Sequence, residues 1–317
     1  MSSVSPAAQY DSTGREPQRE WVIQPASGWV GPHLCELWEA RDLLWLLTWR
    51  NIAVRYKQTA LGVTWSVLQP TLMMMVFGFV FGRIGRMSSG DLPYPIFVYA
   101  GLLPWMFFSA AVTGAAGSVV ESERLITKVY FPRLAIPLAA VFAAVVDFAI
   151  ALSVLIVLMI WYGIAPSWTV ALVPLAAILM LLAAVGVGVL LAAFNVWYRD
   201  FRYLVGFLMQ LWMFATPSIY MDYPPPAAPR TTAMAAVPGD PSATQPRSSL
   251  DLGLTDVLRL AVDANPMTGL ISFFRAATLG RELPWAVLAK SLPLILLSTV
   301  AGVAVFRRVE DSFADVV

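Results

Sequence analysis

The chain has 317 residues, 58% hydrophobic and 13% charged, with a net charge of +1 and a mean hydropathy of +0.69. A soluble domain carries about 25% charged residues, so this composition excludes one and defines an integral membrane protein. The balanced charge, spread along the chain, excludes a nucleic-acid-binding patch. One cysteine, Cys35, excludes an intrachain disulfide, and with His33 as the sole histidine no metal site is expected, since zinc sites take three or four protein ligands.

Residues 1–33 are polar, contain Pro6, Pro17 and Pro25, and lack the apolar core of a secretory signal, so a flexible tail is expected. Residues 34–57 read as an amphipathic helix. Trp38, Trp45 and Trp49 share one narrow face, and Arg41, Arg50, Arg55 and Lys57 sit around or after it. Indole rings favour the membrane interface and cations the headgroups, which predicts a helix lying on the bilayer surface.

Apolar stretches near 63–82, 95–118, 136–161, 169–193, 203–221 and 285–306 are predicted to cross a hydrocarbon core of about 30 Å. The prediction is thus an all-α protein with six spans. Eleven basic residues lie in the N-terminal flank from Arg41, the second and fourth loops and the C-terminal flank, against Arg83 and Arg86 in the first and third loops. This bias places both termini and the second loop in the cytoplasm.

In that second loop, Ser118 and Glu121 have the spacing of a capping box and Pro132 supplies a stop, predicting a helix over 121–133. Leu125, Ile126, Val129 and Tyr130 fall on one face, and Glu121, Arg124 and Lys128 on another. Two readings fit the pattern: a surface for docking another protein, or a helix resting in lipid headgroups.

The fifth loop, 222–284, opens with a Pro-rich stretch over 224–251 and continues with two short helical segments, 254–264 and 267–279, the second starting after Asn265-Pro266 and ending at Gly280. These segments either re-enter the membrane before the last span or form an outer cap. Re-entry would place a pathway nearby, because irregular backbone at that depth must be buried or line a wet cavity.

No G-x-x-x-x-G-K-S/T, H-E-x-x-H or G-x-S-x-G pattern occurs, so neither ATP hydrolysis nor another enzymatic reaction is expected of the chain itself. Asp147 and Lys290 are the ionisable residues inside apolar spans, and Lys290 is near enough to a span end to snorkel. Asp147 is read either as a structural hydrogen-bonding group or as a proton relay of an ATP-independent carrier. Phe77, Phe81, Trp105, Phe107, Phe108, Trp212, Phe214 and Tyr220 are candidates to line a channel for sugar rings, with packing or lipid contact as the alternative.

Together these patterns carry a resemblance. Residues Arg55 to Pro70, RYKQTALGVTWSVLQP, resemble the R-Y-x-x-S/T-x-L-G-x-x-W-x-x-L-x-P approach to the first span of ABC-2-type polysaccharide export permeases. Leu125 to Arg133, LITKVYFPR, is similar to the family's L-I-x-K-x-x-F-P-R segment. Asn195 to Asp200 resembles its N-V-x-x-R-D element, and Asn265-Pro266 through Arg275 its N-P-x(8)-R stretch. The C-terminal residues from Phe306 through Glu310-Asp311-Ser312-Phe313 to Asp315 also fit, and the elements occur in order over roughly 40–317.

The resemblance implies a transmembrane domain over 58–317 that forms a homodimer in the bacterial cytoplasmic membrane and exports lipid-linked polysaccharide such as O-antigen, capsule or teichoic acid. Two copies of a separate ATPase would bind ATP and magnesium, leaving this chain without a cofactor of its own. A drug or small lipid is the alternative cargo within the superfamily. The 121–133 segment would be the coupling helix, with Glu121, Glu123, Arg124, Leu125, Lys128, Val129, Tyr130 and Arg133 as docking candidates. Arg55, Tyr56, Lys57, Arg199 and Asp200 would stand at the cytoplasmic mouth. There Arg199 and Asp200 either pair structurally or Arg199 contacts a lipid phosphate.

Overall fold

The computed structural model describes residues 34–57, 62–85, 92–128, 131–198, 200–216, 265–310 and 313. The tail 1–33, the Pro-rich stretch 224–251, the segment 254–264 and the candidates Val129, Tyr130, Arg199 and Tyr220 lie outside them.

Every regular element among the described residues is helical. Helices α1 (Leu34–Glu39) and α2 (Arg41–Lys57) are separated by a turn at Ala40, so the interface segment is two helices where one was expected. Trp38, Trp45 and Trp49 are exposed by 71%, 68% and 58%, while Leu47 and Thr48 are buried on the other side of α2. There α2 packs on α6 (Ala135–Trp161).

Helix α3 (Thr64–Phe77) runs into a π-helical turn, Gly78–Ile84, and Pro70 and Met74 are its buried residues. Helix α4 (Tyr94–Glu121) is the central column, packed by α3, α6 and α7 (Val173–Trp197) and buried along most of its length. A 3-10 turn, Trp168–Leu172, leads into α7, and α10 (Trp285–Val309) completes the set. Among the described residues, five segments are long and apolar enough to cross a membrane: Thr64–Ile84, Tyr94–Glu121, Ala135–Trp161, Trp168–Trp197 and Trp285–Val309. The expected span 203–221 is represented by α8 (Phe201–Phe214), an apolar helix of 14 residues. At 1.5 Å per residue it reaches about 21 Å, and residues 217–221 are outside the described set.

The expected 121–133 helix is corrected. Helix α4 continues through Ser118, whose hydroxyl donates to the Ala115 carbonyl at 2.7 Å, so Ser118 is a buried helix-interior residue and no capping box forms. The chain breaks one turn later at Ser122 (φ −106°, ψ 20°) and makes a single turn, α5 (Glu123–Ile126). Tertiary burial anchors the segment on both sides of the break: Ile126, Phe131 and Leu134 all insert into the bundle.

Close helix contact depends on small residues. A Cβ on Gly302 of α10 would lie 2.2 Å from the Gly186 carbonyl oxygen of α7, and Thr299 donates to the Leu182 carbonyl across the same seam at 3.0 Å. Apolar spans gain little hydrophobic energy from one another within lipid, so such backbone approach is what holds them.

Helix α9 (Pro266–Leu279) is buried at every residue from Met267 to Leu279. It is wedged among α4, α7, α10 and the 3-10 turn, and Phe274 meets Phe148 midway along α6 at 5.9 Å. A helix buried on all sides reads as mostly apolar all round; in α9 the exceptions are Arg275 and the small hydroxyl residues Thr268, Ser272 and Thr278, of which Ser272 and Thr278 donate to carbonyls of their own helix. Gly280 (φ 69°) ends it, a backbone shape that favours glycine. The helix therefore lies inside the bundle and not over it as a cap.

Two larger apolar clusters follow. One fills the middle and far end of the bundle around α4, α6, α7 and α9. The other, at the α5 end, joins Leu47 of α2, Val119 of α4, Ile126, Phe131 and Leu134, Val196 of α7, and Phe306 and Phe313.

Candidate functional site

A cleft of about 720 Å³ opens between α3, α4 and α6, with Met213 of α8 at its edge. Its polar wall is a network built on Asp147. Arg55 and Tyr56, in the last turn of α2, donate to Asp147 Oδ2 and Oδ1 respectively, and Ser66 of α3 donates to Oδ1 at 2.7 Å. Tyr56 and Ser66 are themselves 3.2 Å apart. A carboxylate within an apolar helix is costly unless paired and hydrogen-bonded, and here three donors from two other helices converge on it.

Partial burial, then the bond to the Asp147 carboxylate, raises the Tyr56 pKa above its ordinary 10. The sign follows: the neutral phenol donor is present below pH 10, and its stabilisation is lost as pH rises through the elevated folded value.

The apolar wall holds some of the expected aromatics and not others. Phe77, Trp105 and Phe107 line the cleft. Phe81 stacks on Phe77 at 5.9 Å, further along the π-helical turn. Phe108 is fully buried and meets Trp212 edge-on at 5.3 Å, so it packs behind the cleft instead of lining it. Phe214 is 62% exposed on α8.

At the α5 end, Glu121, Glu123, Arg124 and Lys128 are exposed, Leu125 is half-buried and Ile126 is buried. Arg133 turns inward to donate to the Glu310 carbonyl at the end of α10, while Arg307 pairs with the Glu310 side chain at 2.8 Å. The expected coupling set is thus divided: an exposed polar knuckle, and an arginine tying the base of the loop to α10. Lys57 is exposed at the end of α2. Asp200 is exposed before α8 and lines a second cavity of about 210 Å³ with Asn195, Arg202 and Tyr203. Glu121 lies 3.8 Å from Arg202 across it, a solvent-exposed pair worth little by itself.

Sequence reasoning missed three features. Ser66 completes the Asp147 network but carries no spacing signal. Arg275, 5% exposed in α9, holds its guanidinium 4.0 Å from the Phe97 ring centre, a cation–π contact. Asn265 is a junction: its Oδ1 accepts from Trp212 Nε1 at 2.9 Å and from the Met267 amide at 3.0 Å, and its Nδ2 donates to Thr216 Oγ1 at 2.7 Å. The Asn-Pro signal for a helix start was readable, whereas the reach to α8 was not. Asn265→Ala leaves a partly buried indole N–H and a buried helix-start amide without their acceptor, so a loss of about 2–4 kcal/mol is expected. Thermal unfolding of the detergent-solubilised protein checks this.

A polar network and aromatic wall set beside apolar spans, with a polar knuckle at one end, define a membrane transport protein. The chain belongs to the ABC-2 type transporter family, whose model matches residues 42–224. It is similar to the O-antigen export system permease protein RfbA of Myxococcus xanthus, 32% identical over 286 residues, covering 88% of this chain and 97% of that one. A Klebsiella pneumoniae protein of the same name is 33% identical over 181 residues, 56% of this chain and 69% of its own. The polysialic acid transport protein KpsM of Escherichia coli is 28% identical over 76 residues, 24% of this chain and 30% of its own.

Proposed function

We propose that this chain is the transmembrane permease subunit of an ATP-driven exporter of lipid-linked polysaccharide, of the O-antigen class, in the bacterial cytoplasmic membrane. The observation that carries the reading is the cleft. It sets Phe77, Trp105 and Phe107 beside Arg55, Tyr56, Ser66 and Gln69, combining aromatic faces for sugar rings with polar groups for hydroxyls at a depth where polar side chains otherwise have no use. The relatives named for O-antigen export support the cargo.

The basic bias of the α5 end supports a cytoplasmic position for that end and for both termini. There the knuckle of Glu123, Arg124 and Lys128 docks the separate ATPase, which binds ATP and magnesium. The apolar residues exposed on α3, the π-helical turn after it and α8, among them Met75, Phe79, Phe207 and Leu211, suit a second copy of the chain in a homodimer, with lipid covering the rest. Closure of two ATPase subunits shifts the α5 segments, the spans rearrange, and the lipid-linked end passes ahead of the glycan. Asp200, and Arg199 beside it in sequence, belong to the cytoplasmic mouth in this scheme.

A second reading, export of a small lipid or drug, has the cleft volume in its favour, because pockets of about 300–1,000 Å³ suit small molecules. An ATP-independent carrier gains no support from an Asp147 already engaged by Arg55, Tyr56 and Ser66.

The tagged chain, purified from its own cell, is expected to bring a nucleotide-binding subunit with it, and its deletion to trap lipid-linked glycan inside. Purification without that subunit, with transport persisting in the absence of ATP, overturns the exporter reading. Normal surface glycan in the deletion strain favours the small-molecule cargo.

A further inference from the structure

Asp147 lies twelve residues beyond Ala135, about 18 Å along α6 at 1.5 Å per residue. Helix α2 reaches it lengthwise: Leu47 shares a cluster with Leu134 and Leu138, and Arg55 meets Asp147 further along both helices. The α2 helix therefore runs beside α6 and does not lie across its end, as the surface-helix expectation had it. A helix ending in Arg55-Tyr56 follows α6 because a mid-helix carboxylate needs those donors.

Two further observations give this tie mechanical meaning. Little of Thr64–Ile84 is buried within this chain, and Ser66 in the first turn of α3 bonds to the same carboxylate. The other part of α2 shares its apolar cluster with Phe131 and with Ile126, which adjoins the exposed turn at Thr127 and Lys128. Displacing that turn displaces the cluster under α2, and α2 ends on the cleft wall.

We propose that Asp147 is a positioning residue for gating: its carboxylate latches the end of α2 and the start of α3 to α6, keeping the cleft narrow at rest. Movement of the α5 segment by a docked partner draws α2 away and releases the latch. This rests on the exporter reading for the source of the movement, whereas the latch itself rests on the Asp147 geometry. Arg55 and Asp147 contribute the charged bond, the strongest of the three, and the Tyr56 and Ser66 hydroxyls set its direction.

A thiol reporter tests it. With Cys35→Ser removing the only cysteine of this chain, Ser109→Cys places one thiol on the cleft wall without removing a latch donor, and its labelling rate by a membrane-impermeant maleimide is followed in the complex with its ATPase. Labelling is expected to be slow at rest and about tenfold faster during ATP turnover. Adding Asp147→Asn, or Arg55→Gln at a side chain 41% exposed, is expected to give the fast rate without ATP. Arg55→Gln keeps the test open should Asp147→Asn fail to fold. Rates that agree within twofold in all states overturn the latch. A rate raised by the substitutions but indifferent to ATP also overturns the gating role, leaving a static tie. Absence of any ATPase in the purified complex would sink the exporter reading instead, and the substitutions would still report on the latch.

Discussion

Reversing two charges at once, Arg124→Glu with Lys128→Glu, is expected to abolish assembly with the ATPase while the permease still inserts. Both side chains are exposed on the turn at and after α5, so the bundle loses no packing. Each reversal moves the local charge by two units, and like-charge juxtaposition at an interface costs several kcal/mol. A loss of about 10²–10³-fold in affinity follows for a complementary acidic surface. Co-purification measures it, with the solubilised permease's thermal stability as the folding control. Unchanged assembly and export would remove α5 from the docking surface. Ile126→Ala separates the two roles of the segment: it deletes a buried anchor, at a cost of about 2–5 kcal/mol, and should lower stability as well as assembly.

A second large effect is expected at the α7–α10 seam. Gly302→Ala puts a methyl 2.2 Å from the Gly186 carbonyl oxygen, a backbone atom that cannot rotate away, so the helices must separate. Overpacking of this kind costs about 1–3 kcal/mol or more, and separation also stretches the Thr299 bond to Leu182. Gly302→Leu should prevent accumulation of folded protein altogether. Gly114→Ala is the matched control, because its new methyl would sit at an ordinary 3.8 Å from Ala140. Thermal unfolding in detergent compares them, and equal midpoints for Gly302→Ala and Gly114→Ala would refute the close-contact account.

The helical membrane architecture was legible in the chain because it depends on local sums. Long apolar runs such as Ala135–Trp161 need no knowledge of neighbours to be read as buried in lipid or protein. The start of α9 was equally local, since Asn265-Pro266 caps and begins a helix wherever it stands. The family motifs likewise read out in order.

The sequence by itself determined an all-helical membrane protein, the polar knuckle at 121–128 and the lone acid at 147. Tertiary structure decided what each of these does. The capping-box pattern at Ser118 yielded to α4, whose burial extends its helix past the local signal, and Ile126 and Phe131 folded the expected coupling helix into one anchored turn. The partners of Asp147 stand 81 to 92 residues away in sequence, and whether Phe108 lines a cleft or packs behind Trp212 depends on helix rotation. Hydrophobic pattern reports how much of a helix is apolar, and in a membrane both lipid and protein accept apolar faces. Only side-chain packing and the need to satisfy a mid-helix carboxylate separate the two, which is why the site emerged from the assembled bundle.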